Sequence, residues 1–419
     1  MTFDVIVVGA GPAGSTAAKI LGEAGVSTLL LDKSAFPRDK PCGGGISARV
    51  IQRFPYLKAA LASIPVNWVN KVYLESPAGF AVDYRSDVPL YLMIRRCEFD
   101  NLLFSLAGAH VEFQAPALVR KVVPGAGGAV VTAEVDGQPR DYDCKLVLGC
   151  DGANSIVARG SGLRTGSVQA DYAIDMMEET PYEELNLPER DRMYVYYRLR
   201  GHYGYGYVFP KASHVNLGVG FKLDYYLSKL RGGHYAHHSS FVEGLTSKQL
   251  ISGQSNRSNF RAFPLPISGP LPRTSSDRVL LSGDAGGFVN ALTAEGIYYA
   301  MLSGEHAART AIAAIKANDF TSGMLARYEQ SWKQEIGLEL QKSVRFQELL
   351  LSDSNRVDRV IQAAGRNPVL ADLLARYATG SLPHAQFKRA LIRRALPTYL
   401  REKARDLVFG KDTAGFPII

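Results

Sequence analysis

The run DVIVVGAGPAGSTAAKILGEAGVSTLLLDK, residues 4–33, restricts the fold more than any other stretch of the chain. Val5 to Val8 is a short unbroken apolar run, the pattern of a parallel strand buried on both faces. Gly9, Gly11 and Gly14 follow at G-x-G-x-x-G spacing. Ala13, Ala17, Ala18, Ile20 and Leu21 then repeat with a helical period, and a second apolar run, Thr28 to Leu31, ends at Asp32. Strand, glycines, helix, strand and acid thus occur in the order a dinucleotide site needs. Gly9 permits the tight turn, Gly11 lets the backbone approach a pyrophosphate, and Gly14 lets helix and strand pack closely. The helix N-terminus offers N–H groups and a partial positive charge to the phosphates. Asp32 accepts hydrogen bonds from ribose hydroxyls, and its charge disfavours a 2′-phosphate.

Two later segments point to FAD. KLVLGCDGANSIVAR holds a buried strand, Leu146 to Gly149, that ends in Asp151-Gly152. DRVLLSGDAGGFVNALTAEGIYYAM holds another, Val279 to Leu281, that ends in Gly283-Asp284 before the small residues Ala285 to Gly287. Each carries a carboxylate beside a glycine to the C-terminal end of a strand, where parallel sheets bind ligands. The second supplies an acid for a ribityl hydroxyl and helix-end amides for a phosphate.

The order G-x-G-x-x-G, then Asp-Gly, then Gly-Asp, resembles the flavoproteins of the p-hydroxybenzoate hydroxylase fold. Within that group the chain resembles the geranylgeranyl reductase family. RDKPCGGGIS is similar to that family's K-P-C-G-G segment, and NALTAEGIYYAM to its N-P-L-T-G-E-G-I-x-x-A-M segment. Ala291 stands where Pro is usual and Ala294 where Gly is usual. In IRRCEFDNLL, Arg96 matches an arginine that contacts FAD in the wider fold. The resemblance covers roughly residues 1–320. It implies that Gly43, Gly44 and Gly45 let the backbone approach the flavin ring, with Cys42 beside the reacting face. There Cys42 gates, positions or assists proton transfer, or is only a compact neighbour of the ring. Pro12, Ala13, Lys33, Val119, Gly296 and Ile297 complete the expected cofactor contacts. Arg38, Asp39 and Lys40 are placed to make local ion pairs or to touch FAD phosphates, with at least two of them read as solvated loop charges.

Between Asp171 and Pro272 aromatic residues are dense and helix signals sparse. In HYGYGYVFPK, Tyr203, Tyr205, Tyr207 and Phe209 fall at every second position, which on a strand is one face. Gly204 and Gly206 fall on the other, leaving room for something to press close. RMYVYYRL and HVNLGVGF read as further strands, and NKVYLESPAGFAVDY as a hairpin turning at Pro77 to Gly79. The family pattern here is P-x-x-Y-x-W-x-F-P. This chain keeps Tyr205, Phe209 and Pro210, and has Tyr207 for Trp and His202 for the first Pro. Tyr203, Tyr205, Tyr207 and Phe209 are the expected substrate wall, and Tyr205, Tyr207 and Cys42 the candidate catalytic groups.

The predicted fold is therefore α/β, α+β overall. A Rossmann-like FAD-binding domain with a parallel sheet takes residues 1–65, 92–170 and 273–320. An antiparallel-sheet substrate domain takes 66–91 and 171–272, and a C-terminal helical region takes 321–419. ELQKSVRFQELLLSDSNRVDRVIQAA is expected to pack on the FAD-binding domain. The three histidines of GGHYAHHSS, His234, His237 and His238, read as a solvated turn rather than a metal site.

The resemblance implies hydride transfer from reduced FAD to a carbon–carbon double bond of a prenyl lipid or prenylated quinone. NADPH, NADH or a ferredoxin-like protein is the expected external reductant, because no second nucleotide fingerprint occurs. The alternatives on the same fold are a monooxygenase and a halogenase. The halogenase motif G-W-x-W-x-I-P reads here as Gly204-Tyr205-Gly206-Tyr207-Val208-Phe209-Pro210, without either Trp. A non-catalytic flavin sensor is a further alternative. The 4 cysteines show no C-x-x-C spacing, and the opening reads as a strand rather than a signal peptide, so a cytoplasmic enzyme is expected. The net charge is +8, with a basic tail. Phe387, Leu391 and Ala395 share a helical face beside Lys388, Arg389, Arg393 and Arg394, and Pro397 should end that helix. The segment reads either as an ordinary solvated helix packed on the body or as a peripheral contact with an inner membrane surface; no nucleic-acid partner is expected.

Overall fold

In the computed structural model, which describes residues 2–166 and 169–395, the opening motif folds as its pattern requires. Thr2–Val8 lies between two parallel neighbours, with Val7 opposite Leu148 on one side and Leu30 on the other. Val5, Ile6 and Val7 have no exposed surface, which explains why apolar residues run unbroken there. The sheet order is Ser275–Ser276, Val279–Leu281, Gln138–Gly149, Thr2–Val8, Thr28–Leu31, Glu112–Gln114. The hairpin of Leu118–Pro124 and Ala129–Val135 joins the long strand Gln138–Gly149 by antiparallel pairing. Helix Pro12–Glu23 packs on the 21-residue helix Ile297–Ala317. Their backbones nearly touch, since a Cβ on Gly304 would lie 2.3 Å from the Ala13 carbonyl oxygen.

Contacts divide the chain into two compact units. The first comprises Met1–Lys40, Arg95–Tyr172 and Pro264–Val344, and the second Pro41–Ile94, Ala173–Phe263 and the described part of Arg345–Ile419. The break after Lys40 comes earlier than the limit at 65 expected from sequence. Its cause is a small sheet in which Tyr91–Met93 pairs with both Gly45–Ser47 and Asn67–Val69, making 41–94 one piece.

The second unit is built on a seven-stranded sheet in the order Phe260–Pro266, Tyr172–Pro181, His214–Lys222, Gly204–Pro210, Arg192–Tyr197, Lys71–Glu75, Ala81–Arg85. The last two form the expected hairpin, turning at Gly79 with φ +83°. Helix His234–Ser247 covers one face of the sheet. The histidine-rich segment is thus a helix start, not a turn, because Gly233 caps it and His238 faces inward at i+4 from His234. His238 has no exposed surface, contacts the Leu217 carbonyl oxygen at 3.1 Å, and is pushed down to about 4 by burial.

The glycines of Gly204–Pro210 face that helix. A Cβ on Gly206 would meet the Phe241 ring at 2.8 Å, and one on Gly204 the Gly220 carbonyl oxygen at 2.0 Å. What presses close there is the protein's own core. From Arg345 onward the helices belong to this unit rather than to the FAD-binding one. Ser354–Arg366 and Pro368–Ala378 pack on the edge strand Ala81–Arg85, and a Cβ on Gly365 would come 2.6 Å from the Ala81 carbonyl oxygen. Phe387 and Leu391 are buried, with Phe387 stacked on Tyr377 at 4.3 Å, so that face of helix His384–Ala390 forms core and is closed to a membrane. Lys388, Arg389, Ile392, Arg393 and Arg394 remain exposed. Pro397 lies outside the described residues. Among these, no helix is long and apolar enough to cross a membrane.

Candidate active site

In the first unit the candidate site gathers at the C-terminal ends of the parallel strands. Thr2–Val8 delivers Gly9, whose φ of +99° is left-handed and whose missing Cβ would meet the Cys150 carbonyl oxygen at 2.4 Å. Gly11 caps helix Pro12–Glu23 and Pro12 sits in its first turn. The amides of Ala13 and Gly14 precede the first intrahelical bond, Ser15 N–H to Gly11 O at 2.9 Å, and are donors suited to an anion. A Cβ on Gly14 would stand 1.8 Å from the Gly9 carbonyl oxygen, whereas one on Gly11 would meet only Arg38 Nη2, at 3.7 Å. Gly14 closes the turn, and Gly11 leaves an open cradle beside a guanidinium group. A pyrophosphate fits that cradle in size and in charge, so the residues present fit FAD.

Asp32 is 7% exposed and preorganised, accepting from the Ala10 amide at 2.8 Å and the Ser34 amide at 2.9 Å. Arg38 Nε lies 3.6 Å from it, while Arg38 Nη1 lies 3.1 Å from Asp100. Arg96 donates to the same Asp100 carboxylate through Nε and Nη2, each at 2.7 Å. The wholly buried Asp100 thus holds two arginines in place. Sequence reasoning passed over it, although its four-residue spacing from Arg96 on a helix was a readable signal.

The Gly-Asp motif is a short turn, Gly283–Gly286, with Lys40 Nζ 3.6 Å from Asp284 Oδ2. Gly296 caps helix Ile297–Ala317, and a Cβ on it would lie 3.5 Å from Asp284 Oδ1. Gly283, Asp284, Gly296 and Ile297 are therefore one cluster. Arg38 and Lys40 are ion-paired, leaving Asp39 as the exposed loop charge. Asp151 differs from expectation. Its Oδ1 accepts from Ser155 Oγ at 2.5 Å and its Oδ2 from the amides of Ile156 and Val157 at 2.7 and 3.2 Å. Oδ2 thus satisfies the first amides of helix Ile156–Gly160 while Oδ1 holds its N-cap Ser155, and burial pushes the carboxyl up. The Lys33 side chain is exposed, and Val119 sits in the core of the hairpin and sheet.

The two departures from the family's N-P-L-T-G segment have structural counterparts. The Ala291 amide, which Pro would lack, donates to Ser343 Oγ at 3.0 Å. Ala294 has φ +53°, the left-handed region where the family's glycine is unstrained. Ala294→Gly is expected to raise stability by about 0.5–1 kcal/mol, read from the denaturant midpoint; an unchanged or lower midpoint would show that no strain resides there.

In the second unit Tyr205, Tyr207 and Phe209 form a wall of rings along Gly204–Pro210, while Tyr203 lies just outside the strand with its hydroxyl on Gln347 Oε1 at 3.3 Å. Tyr207 and Phe209 pack with ring centroids 4.6 Å apart. The Cys-Gly-Gly-Gly bend rests against this wall. A Cβ on Gly43 would approach Phe209 to 3.1 Å and Tyr207 to 3.3 Å, and one on Gly45 would approach Tyr91 to 2.8 Å. Cys42 Sγ accepts from the Gly44 amide at 3.4 Å, and the Cys42 carbonyl from Asn216 Nδ2 at 3.2 Å. Lys211, 1% exposed, ties the bend from behind, donating to the Ile94 carbonyl at 2.9 Å and lying 2.7 Å from Glu179 Oε2. A Cβ on Gly44 would lie 2.2 Å from Lys211 Nζ.

Register explains why the wall has room. Tyr205 lies opposite Gly220 and Tyr207 opposite Gly218, and the next strand places Asp175 and Met177 opposite those glycines. A Cβ on Gly218 would fall 2.3 Å from the Tyr207 hydroxyl, so the ring leans over that glycine. Its hydroxyl reaches Asp175, at 3.2 Å from Oδ2 and 3.4 Å from Oδ1. Burial pushes the Asp175 carboxyl up to about 7, and pushes the Tyr205 and Tyr207 phenols well up. Asp175, Glu179, Lys211 and Asn216 carried no local sequence signal, because they meet the site through strand pairing alone.

The FAD binding domain family matches residues 2–335 of the chain. Digeranylgeranylglycerophospholipid reductase 1 of Methanopyrus kandleri is 32% identical, over 80% of this chain and 87% of that protein. Geranylgeranyl diphosphate reductase of Rhodobacter capsulatus is 30% identical, over 78% of this chain and 79% of that one. A geranylgeranyl bacteriochlorophyll reductase-like protein from Thermoplasma acidophilum shares the fold, with TM-score 0.78, 21% identity, and coverage of 93% of this chain and 98% of that structure. These likenesses favour the reductase reading over a monooxygenase or a halogenase. The chain belongs to the FAD-binding family and, within it, to the geranylgeranyl reductases: it is an FAD-dependent oxidoreductase.

Proposed function

We propose that this protein hydrogenates carbon–carbon double bonds in the prenyl chain of a lipid or quinone. The observation that carries the reading is the wall of Tyr205, Tyr207 and Phe209 packed against the Cys42–Gly45 bend. An isolated alkene is a weak electrophile, so its reduction needs an apolar enclosure and a proton donor beside the hydride source. Reduced FAD, when bound, supplies that hydride. The wall provides apolar surface, and Tyr205 and Tyr207 keep their protons far above neutral pH because of burial. Cys42 serves to position the bend, through its thiol on the Gly44 amide. The reductant that recharges the enzyme is NADPH, NADH or a ferredoxin-like protein. A peripheral membrane contact through Lys388, Arg389 and Arg393, with Ile392 exposed beside them, would suit a lipid substrate.

The test is anaerobic. Reduced, FAD-loaded protein is mixed in turn with prenylated lipids, prenylated quinones and simple aromatics. Flavin reoxidation by a prenyl compound, with a product heavier by two hydrogens, is the expected result. Flavin that stays reduced with every alkene, or that turns over only with oxygen or halide, would overturn the proposal.

A further inference from the structure

The tyrosine that replaces the family's Trp is paired with an acid. We infer that Tyr207 is the proton donor to the substrate's double bond and that Asp175 is the positioning residue that returns a proton to it. This rests on the reductase reading and names the group that completes it.

Geometry carries the pairing. Tyr207 is 4% exposed and belongs to the wall. Its ring passes over Gly218, where any side chain would collide with the hydroxyl, and ends within 3.2 Å of Asp175 Oδ2. An indole at this position has one N–H donor and no acceptor, so it could hand on no proton received from an acid. A phenol both donates and accepts. The groups facing Asp175 from the adjoining elements are Tyr207, which is hydrogen-bonded to it, and Tyr205, both on Gly204–Pro210; Cys42 on the bend lies near the two tyrosines. Glu179, on the same strand, is paired with Lys211. A carboxyl pushed up to about 7 by burial is a competent acid at neutral pH.

Reduced FAD, when bound, would supply the hydride for one C–H bond at the alkene. The π pair takes the Tyr207 hydroxyl proton and forms the second C–H bond as the O–H bond breaks. The phenolate takes the Asp175 proton, and the Asp175 carboxylate is reprotonated from water. The alkene gains two electrons and the flavin loses two.

Three measurements on the FAD-loaded full chain test this. Single-turnover reoxidation by the prenyl substrate should fall about 10²-fold in Tyr207→Phe and at least tenfold in Asp175→Asn. Sign follows from the acid form being required: the wild-type rate should fall as pH rises through about 7, and Asp175→Asn should lose that dependence. The infrared C=O band of a protonated carboxyl should titrate near neutral pH in wild type, vanish in Asp175→Asn and shift in Tyr207→Phe. Retained FAD content certifies that each variant folds. A wild-type rate in Tyr207→Phe, an unchanged pH profile in Asp175→Asn, or no titrating carboxyl band overturns the inference. Wild type inert to every prenyl compound sinks the reductase reading itself, and the dyad's catalytic task with it. An active wild type with an equally active Tyr207→Phe sinks the dyad alone.

Discussion

Gly14→Ala is expected to give a colourless protein, destabilised by more than about 3 kcal/mol or failing to fold. The new Cβ would stand 1.8 Å from the Gly9 carbonyl oxygen, 3.0 Å from its carbon and 3.2 Å from Val7 Cγ1. All three atoms are fixed by the opening strand and turn, and Gly9 already holds a left-handed φ of +99°. Helix Pro12–Glu23 must therefore move away from its strand, and it is confined on the other side by helix Ile297–Ala317. Gly11→Ala is the matched control. Its Cβ would meet only a flexible guanidinium at 3.7 Å, so stability should change by less than about 1 kcal/mol. The methyl would instead occupy the cradle, and FAD affinity should fall at least about tenfold. Unfolding midpoints and flavin absorbance per chain read both effects. A yellow, fully stable Gly14→Ala protein would refute the assigned geometry, and so would Gly11→Ala with wild-type FAD affinity.

Lys211→Met should be the most damaging change in the second unit. Lys211 is 1% exposed and its ammonium lies 2.7 Å from Glu179 Oε2 and 2.9 Å from the Ile94 carbonyl oxygen. Removing it takes the lysine's ammonium away from a carboxylate that is 15% exposed and takes the donor from a backbone carbonyl. Loss of one partner from a buried pair costs about 3–5 kcal/mol. The damage should spread to the bend, because Gly44 packs on the lysine and Asn216 bridges Glu179 to the Cys42 carbonyl. Lys211→Met combined with Glu179→Gln also removes the carboxylate that faced the lysine and should recover part of the loss. Denaturant midpoints of the two variants decide the matter. A single variant within about 1 kcal/mol of wild type would show that the ion pair does not hold the bend.

The cofactor half of the molecule was legible because its chemistry is local in sequence. Gly9, Gly11, Gly14 and Asp32 lie within one βαβ unit, so spacing alone places them. Gly283, Asp284, Gly296 and Ile297 could be read for the same reason, as a strand end and the helix start that follows it. Asp151 shows what spacing leaves open: an acid at a strand end can serve a ligand or the next helix, and its Ser155 and Ile156 contacts appear only in the fold. The histidine segment misled because a helix start rich in glycine and histidine lacks the apolar period that marks a helix.

Sequence by itself determined the Rossmann-like opening, the alternating wall, five of the seven strands of the second unit's sheet and the family. Those features depend on periodicity and on residue types a few positions apart. Tertiary structure alone decided that Tyr207 meets Asp175 across Gly218, that Lys211 and Glu179 brace the cysteine bend, and that the last helices cover Ala81–Arg85. Each of those joins residues tens to hundreds of positions apart. Strand register is set by the summed packing of whole sheets, and no short window of sequence carries that sum.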